Sequence, residues 1–240
     1  MRNFGVPVLL LVTLGSSFCV AGELRPDQDD ADLRSVAQVG GRVSWAVGDR
    51  GTAFRSHDSG KTWSSVSLPV TLSCRSVCFL TNQVGWIAGN DERPGRQGGV
   101  VLATRDGGKV WQVSYPPMKR ICHVRFYDLE HGLLVGGGDD EHPSGVIETH
   151  DGGRTWQAVG GNRSGDWRTA AVSKDQQGVV AGGRFRVGVF SDGAILERDG
   201  PSGGRKAWWG SSISGRGTGW LVGDGAGVLV KTAREATWHT

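Results

Sequence analysis

The chain has 240 residues, 40 glycines, 10 tryptophans and a net charge of only +3. That is room for one domain with a sizeable core and many tight turns, and too mild a charge to mark a nucleic-acid or anionic-membrane surface. No His-Glu-x-x-His, phosphate loop or Cys-x-x-Cys is present, so familiar zinc and nucleotide chemistries lack a signature, and neither cofactor nor metal is expected.

In chain order, Arg2 precedes an apolar stretch over residues 4–14 and a small-residue end running to Gly22. This is the layout of a secretory signal peptide, with cleavage after Ala21 or Gly22. Its apolar run is too short to span a bilayer, and Phe18 is a poor lipobox residue before Cys19. Residues 1–22 are therefore read as a signal peptide and 23–32 as a linker. The mature chain is expected in the periplasm or outside the cell, with no transmembrane segment after cleavage.

Three cysteines follow, Cys74, Cys78 and Cys122. Cys74 and Cys78 fall on one strand about 13 Å apart, too far for a bridge. Cys122 sits on the equivalent strand of the next repeat, which leaves a cross-repeat bridge and free buried thiols both open.

From residue 33 onward the sequence repeats. Five thirteen-residue segments align without a gap: 36–48, 77–89, 124–136, 170–182 and 211–223. Each has a β-prone start, a polar turn, a small residue (Ser44, Gly85, Gly132, Gly178, Gly219), three mostly apolar residues and a closing glycine. Short apolar runs bounded by turn residues read as strands. Runs at 52–55, 100–103 and 145–148 supply a third strand, and each leads into a phrase of the form Ser/Thr-x-Asp-x-Gly-x-x-Trp. The phrases are Ser56, Asp58, Gly60, Trp63; Thr104, Asp106, Gly108, Trp111; and Thr149, Asp151, Gly153, Trp156.

Each unit thus spells a four-stranded antiparallel meander, and a period of this length marks a repeat architecture. The expected fold is an all-β propeller over 33–240, with five blades closed into a ring. The repeats lie near 33–68, 72–115, 119–160, 166–209 and 210–240. In each phrase the Asp is expected to accept backbone N–H groups one or two residues on. Gly108 and Gly153 supply positive φ, and the Trp is expected to bury its ring between blades.

These phrases resemble the Asp-box, or bacterial neuraminidase repeat. Their pairing with Gly-Trp-x-x-Gly, as in Gly85-Trp86-Ile87-Ala88-Gly89 and Gly219-Trp220-Leu221-Val222-Gly223, resembles the photosystem II stability and assembly factor family of propellers. The resemblance covers nearly all of the mature chain. It implies that the twelve box residues stabilise peripheral turns and are neither catalytic nor metal-binding. It also implies seven blades, where this chain offers five. The fourth box is degenerate around Asp199-Gly200, and the fifth keeps Thr237-Trp238 without the Asp and Gly.

A sialidase would need an arginine cluster and a tyrosine nucleophile paired with a glutamate. The only tyrosines are Tyr115 and Tyr127, and Tyr127 reads as packing. His142, with Asp139, Asp140 and Glu141, makes a solvated acidic loop. The loops at 90–98 and 137–144 and the inter-blade connections emerge on one face, opposite the boxes, and rigid scaffolds display function on such loops. The candidate binding residues there are Arg93, Arg96, Arg120, Arg168, Arg184, Arg186 and Trp167. The expected function is an exported, non-enzymatic assembly scaffold with an unidentified protein partner. The alternative is a carbohydrate-active protein, glycan-binding or a divergent sialidase-like glycosidase, with Trp167 and Tyr115 as sugar platforms. A third reading is a decayed propeller without activity.

Overall fold

The computed structural model describes residues 19–21, 30–91, 93–161, 166–173, 177–191, 193–198, 206–214, 218–226 and 228–231. The leader before Cys19, most of the linker, the degenerate fourth box and the final Thr-Trp lie outside them. Apart from two short 3-10 turns, the regular elements are strands in five sheets.

The first sheet begins with β1 (Cys19–Ala21), which runs parallel along the outer strand, and continues β2 (Leu33–Val39), β3 (Val43–Gly48), β4 (Ala53–Ser56) and β5 (Thr62–Ser65). The second is β6 (Ser73–Phe79), β7 (Gly85–Asp91), β8 (Gly98–Thr104) and β9 (Gln112–Ser114). The third is β10 (Ile121–Phe126), β11 (Gly132–Gly136), β12 (Val146–Thr149) and β13 (Gln157–Ala158). The fourth takes β14 (Gly160–Gly161) as a parallel outer strand, followed by β15 (Trp167–Val172), β16 (Gly178–Gly182), β17 (Val187–Ser191) and β18 (Ala194–Arg198). The fifth shows β19 (Trp208–Ile213), β20 (Gly219–Gly223) and β21 (Val228–Lys231). Within each sheet the successive strands pair antiparallel, as in Val77↔Ile87 and Ile87↔Leu102.

Strand alternation sends successive side chains to opposite faces, so each of the three middle sheets is apolar on both sides and packs between two others. From β7, Ile87 points back to a cluster with Trp45 and Val47, while Trp86 and Ala88 point forward to Val124, Phe126 and Ile147. Ala170, Val172 and Val180 pack on the third sheet. Ala171, Val179 and Ala181 pack on Trp208 and Leu221 of the fifth.

Aromatic rings join the first three blades. Trp45 stacks on Phe79 of blade two at 4.7 Å, and Trp86 stacks on Phe126 of blade three at 3.6 Å. Trp111 and Trp156 meet these stacks edge-on. The Trp86 indole N–H also donates to Gly152 O of the next blade's box at 3.0 Å. The indoles that stack between the first three blades, Trp45 and Trp86, are wholly buried, while the box residues Trp63, Trp111 and Trp156 are only half-buried. This corrects the sequence expectation.

Inner strands pack in series, β2 on β6, β6 on β10, β10 on β15 and β15 on β19. Ring closure needs β19 or β20 against β2, and among the described residues no comparable packing joins them. Exposure marks the seam. Val36 is 70% exposed where its counterpart Val77 is 6% exposed, and Trp220 is 37% exposed where Trp45 and Trp86 are at most 1%.

Candidate functional site

The closing glycine of each segment explains how the site is built. A Cβ at Gly48, Gly89, Gly136, Gly182 or Gly223 would lie 1.9–2.4 Å from the carbonyl oxygen of Asp32, Ser73, Arg120, Asp166 or Ala207 respectively. That close approach accompanies a register shift at one position of every inner strand: between Leu33 and Ser35, Cys74 and Ser76, Ile121 and His123, Trp167 and Thr169, and Trp208 and Gly210. A β-bulge of this kind re-aims the extra residue. The five residues so placed are Arg34, Arg75, Cys122, Arg168 and Trp209, and all five line one cleft of about 790 Å³ at the axis.

Two carboxylates organise its charge. Asp49 accepts from Arg34 Nη2 at 2.7 Å and Ser73 Oγ at 2.8 Å, with Arg75 Nη1 at 3.8 Å. Burial alone would raise its pKa, but these contacts outweigh that and hold it below the usual carboxylate range. Asp166 likewise pairs with Arg120 and, at 3.1 Å, with Arg168; it too is held low against the pull of burial. Each carboxylate thus lies between two guanidinium groups; the Asp166 trio keeps a net positive charge, while Arg34 also pairs with Asp32 Oδ2 at 2.9 Å and so balances the Asp49 group. Arg168 also lies 4.0 Å over the Trp209 ring, and the Trp209 N–H donates to Asp224 Oδ1 at 2.6 Å. Such contacts preset the side chains that a ligand would meet.

Just inside this ring a polar belt ties the inner strands together. Val77 N donates to Ser35 Oγ at 3.2 Å, Ser76 Oγ lies 3.3 Å from His123 Nδ1, and the Thr169 and Ser211 hydroxyls are 2.6 Å apart. Burial pushes the His123 pKa down to about 4, so this belt carries no imidazolium at neutral pH.

No family model and no curated protein matches the chain. Solved structures do. The chain is similar to YCF48 bound to D1 peptide, with a TM-score of 0.63 at 20% identity over 88% of this chain and 68% of that one. It is also similar to YCF48 from Cyanidioschyzon merolae, with a TM-score of 0.53 at 14% identity over 88% and 84%. A third neighbour is the GH74 xyloglucanase from Xanthomonas campestris, with a TM-score of 0.62 at 14% identity over 86% of this chain and 38% of that one. The chain is a β-propeller.

Of the loop-face residues read from the sequence, the propeller brings only Arg120 and Arg168 into the axial cleft. Arg96 lines a side pocket of about 350 Å³ with Tyr115 and Pro116, which shares Asp91, Gln97 and Gly98 with the main cleft. Arg93 is engaged by Asp91 at 2.9 and 2.6 Å, an interaction that holds Asp91 at about 2. Arg186 pairs with Glu197 away from the axis, and Arg184 is exposed with φ 56°. Trp167 is not a surface residue. It is wholly buried, donating its N–H to Ser144 O at 2.7 Å, because its place in the inner strand precedes the bulge rather than occupying it. Arg34, Arg75, Cys122 and Trp209 were missed. One more aligned column, two residues before each thirteen-residue segment, contains all of them with Arg168.

Tyr127 is buried, and burial pushes its hydroxyl up to about 12, unsuited to a phenolate nucleophile. The Asp139 carboxylate in the acidic loop accepts the N–H groups of Glu141 and His142. Cys74, Cys78 and Cys122 are free thiols, so no bridge links them.

At the opposite end, the boxed turns close on themselves. The Thr149 hydroxyl donates to Asp151 Oδ1 at 2.8 Å and accepts the Gly153 N–H at 2.9 Å; Asp151 accepts the N–H groups of Arg154 and Thr155. The carboxylate therefore reaches three and four residues on, not the expected one or two. Gly108 and Gly153 adopt φ of 85° and 92°, where only glycine is unstrained.

Burial would raise the pKa of Asp151, but hydrogen bonds from Thr155 and Thr149 bring it to about 2, and Asp58 is likewise at about 2. A depressed native pKa contributes stability above the unfolded value of 3.8 that is lost as pH falls through the folded one. Urea midpoints of the wild type are therefore expected to fall between about pH 4 and pH 2. In Asp151→Asn the midpoint should be lower at neutral pH and its slope in that window shallower. An unchanged slope would remove this box from the acid response.

Proposed function

We propose that the chain is an exported, non-enzymatic interaction propeller of the assembly-factor kind, which takes a segment of a partner protein at the axial cleft. The observation that carries this reading is the five-fold bulge, which aims three arginines and an exposed indole at one opening. Guanidinium forks and a tryptophan are the groups that dominate protein recognition. The propeller of YCF48, solved with a D1 peptide, shares this fold.

The GH74 neighbours raise a carbohydrate-active reading. A glycosidase needs a carboxylic acid held protonated by a raised pKa. Asp49, Asp91 and Asp166 are instead held low by arginines, which supports binding over catalysis.

The test is affinity capture from envelope and secreted fractions on the wild type and on Arg75→Gln/Arg168→Gln, with titration of both by xyloglucan oligosaccharides. The expected result is a protein retained by the wild type and released by the variant. The reading is overturned if nothing distinguishes the two baits, or if the oligosaccharides bind the wild type and not the variant.

A further inference from the structure

Two blades carry a fifth strand on their outer edge. β1 runs parallel to β5 through Cys19↔Thr62 and Ala21↔Ser64, and β14 runs parallel to β18 through Gly160↔Ala194 and Gly161↔Ile195. Blade two has no such strand. Among the described residues nothing pairs with the outer edge of β9.

The neighbouring blades fix the orientation of that edge. Three residues past the boxed Trp, Val66 N donates inward to Ala53 O at 2.8 Å, and Val159 N to Val146 O at 3.1 Å. Ser114 holds the same position in blade two, opposite Val101. In an antiparallel ladder bonded and non-bonded pairs alternate, so the N–H and C=O of Val113 point outward.

A cleft of about 530 Å³ opens beside this edge, between blades two and three. Val84, Val110 and Val113 line it, together with Arg105 and Arg154. Neither guanidinium has a carboxylate partner among the described residues; Arg154 Nη1 reaches only Asp151 O, at 3.5 Å. The nearby Asp106 carboxylate is occupied by the Thr104 hydroxyl and the N–H groups of Lys109 and Val110.

We propose that blade two is the acceptor for a fifth strand supplied in trans, an extended acidic segment of a partner protein laid parallel along β9. Its backbone bonds the outward N–H and C=O of Val113, as in β-strand addition generally. Its acidic side chains meet Arg105 and Arg154, and their methylene stems cover Val110 and Val84. The built-in β14 of blade four shows that this blade geometry accepts a fifth strand, whereas β1 falls within the leader expected to be removed, and the guanidinium groups without a carboxylate partner among the described residues select its charge. This surface is separate from the axial cleft.

The probe is a fluorescein-labelled octapeptide alternating Glu and Thr, with a Lys/Thr octapeptide as its opposite, titrated by anisotropy against the full chain. The Glu/Thr peptide is expected to bind, more weakly as salt rises, and the Lys/Thr peptide not to bind. Arg105→Glu/Arg154→Glu should weaken binding by at least about tenfold. Val113→Pro, which removes the outward N–H along with the core-packed side chain, should abolish it, while Val113→Ala, which trims the side chain and keeps the N–H, retains it. Unfolding midpoints of each variant identify a loss caused by misfolding, and Arg75→Gln/Arg168→Gln should bind as the wild type does. The proposal falls if the Glu/Thr peptide does not bind, if both peptides bind alike, if folded Val113→Pro binds normally, or if the axial variant loses the peptide.

Discussion

Replacing Trp86 by alanine should lower the unfolding free energy by about 3–5 kcal/mol, the range for deleting a buried aromatic side chain. The same change at Trp220 should cost less than about 1 kcal/mol, as at a partly exposed site. The two residues occupy the same repeat position, Gly-Trp-x-x-Gly, on β7 and β20. What differs is the next blade. Trp86 is stacked on Phe126, and its N–H is bonded to Gly152 O; truncation leaves a cavity and an unpaired carbonyl. Trp220 is 37% exposed, because no blade packs over that face among the described residues. Urea titration at matched denaturant slopes measures both. Equal losses would mean that blade five does pack onto blade one in solution and that the ring is closed.

The second large effect is expected at the closing glycines. Gly136→Ala places a methyl 1.9 Å from Arg120 O, a contact with backbone that no side-chain rotation relieves. The bulge must then open, at a cost of about 3 kcal/mol, the upper part of the overpacking range. Gly98→Ala serves as the control, because a Cβ there meets nothing within 4 Å. Its effect should be within about 1 kcal/mol of neutral. Comparable losses at the two positions would place the cost in strand entropy rather than in the bulge. By opening the bulge, Gly136→Ala also turns Cys122 and its neighbours away from the axial cleft. Partner capture should then weaken in the fraction that remains folded.

The period of the repeat, the strands and the turn phrases were legible because each rests on local chemistry: apolar alternation, Asp-Gly turns and small residues at fixed steps. The site was legible only in part. Arg34 and Arg75 stand just ahead of the aligned segments, where a cation reads as a solvated loop charge, and only the bulge turns them to the axis. Trp167 reads as a loop-face aromatic for the complementary reason. It stands one residue before the bulge, so its ring goes into the core while Arg168 takes the axial place. A shift of one residue along a strand exchanges the two faces, and spacing alone does not reveal it. The exposed forward face of blade five was also hidden, since its Gly-Trp-x-x-Gly segment repeats that of blade two and the difference lies in what packs over that face among the described residues.

In the two stacks that join the first three blades, the indole comes from the earlier blade, and the ring it covers comes from the later one. The blade contacts therefore have a direction, and it is the direction of synthesis. As the chain leaves the ribosome, blades one and two each display the indole on which the next blade's phenylalanine can settle. Domains generally fold from the N-terminus during synthesis, and here the template travels with the growing end. Between these blades, such contacts let each new blade add to an edge already finished, with no need to await the last strand.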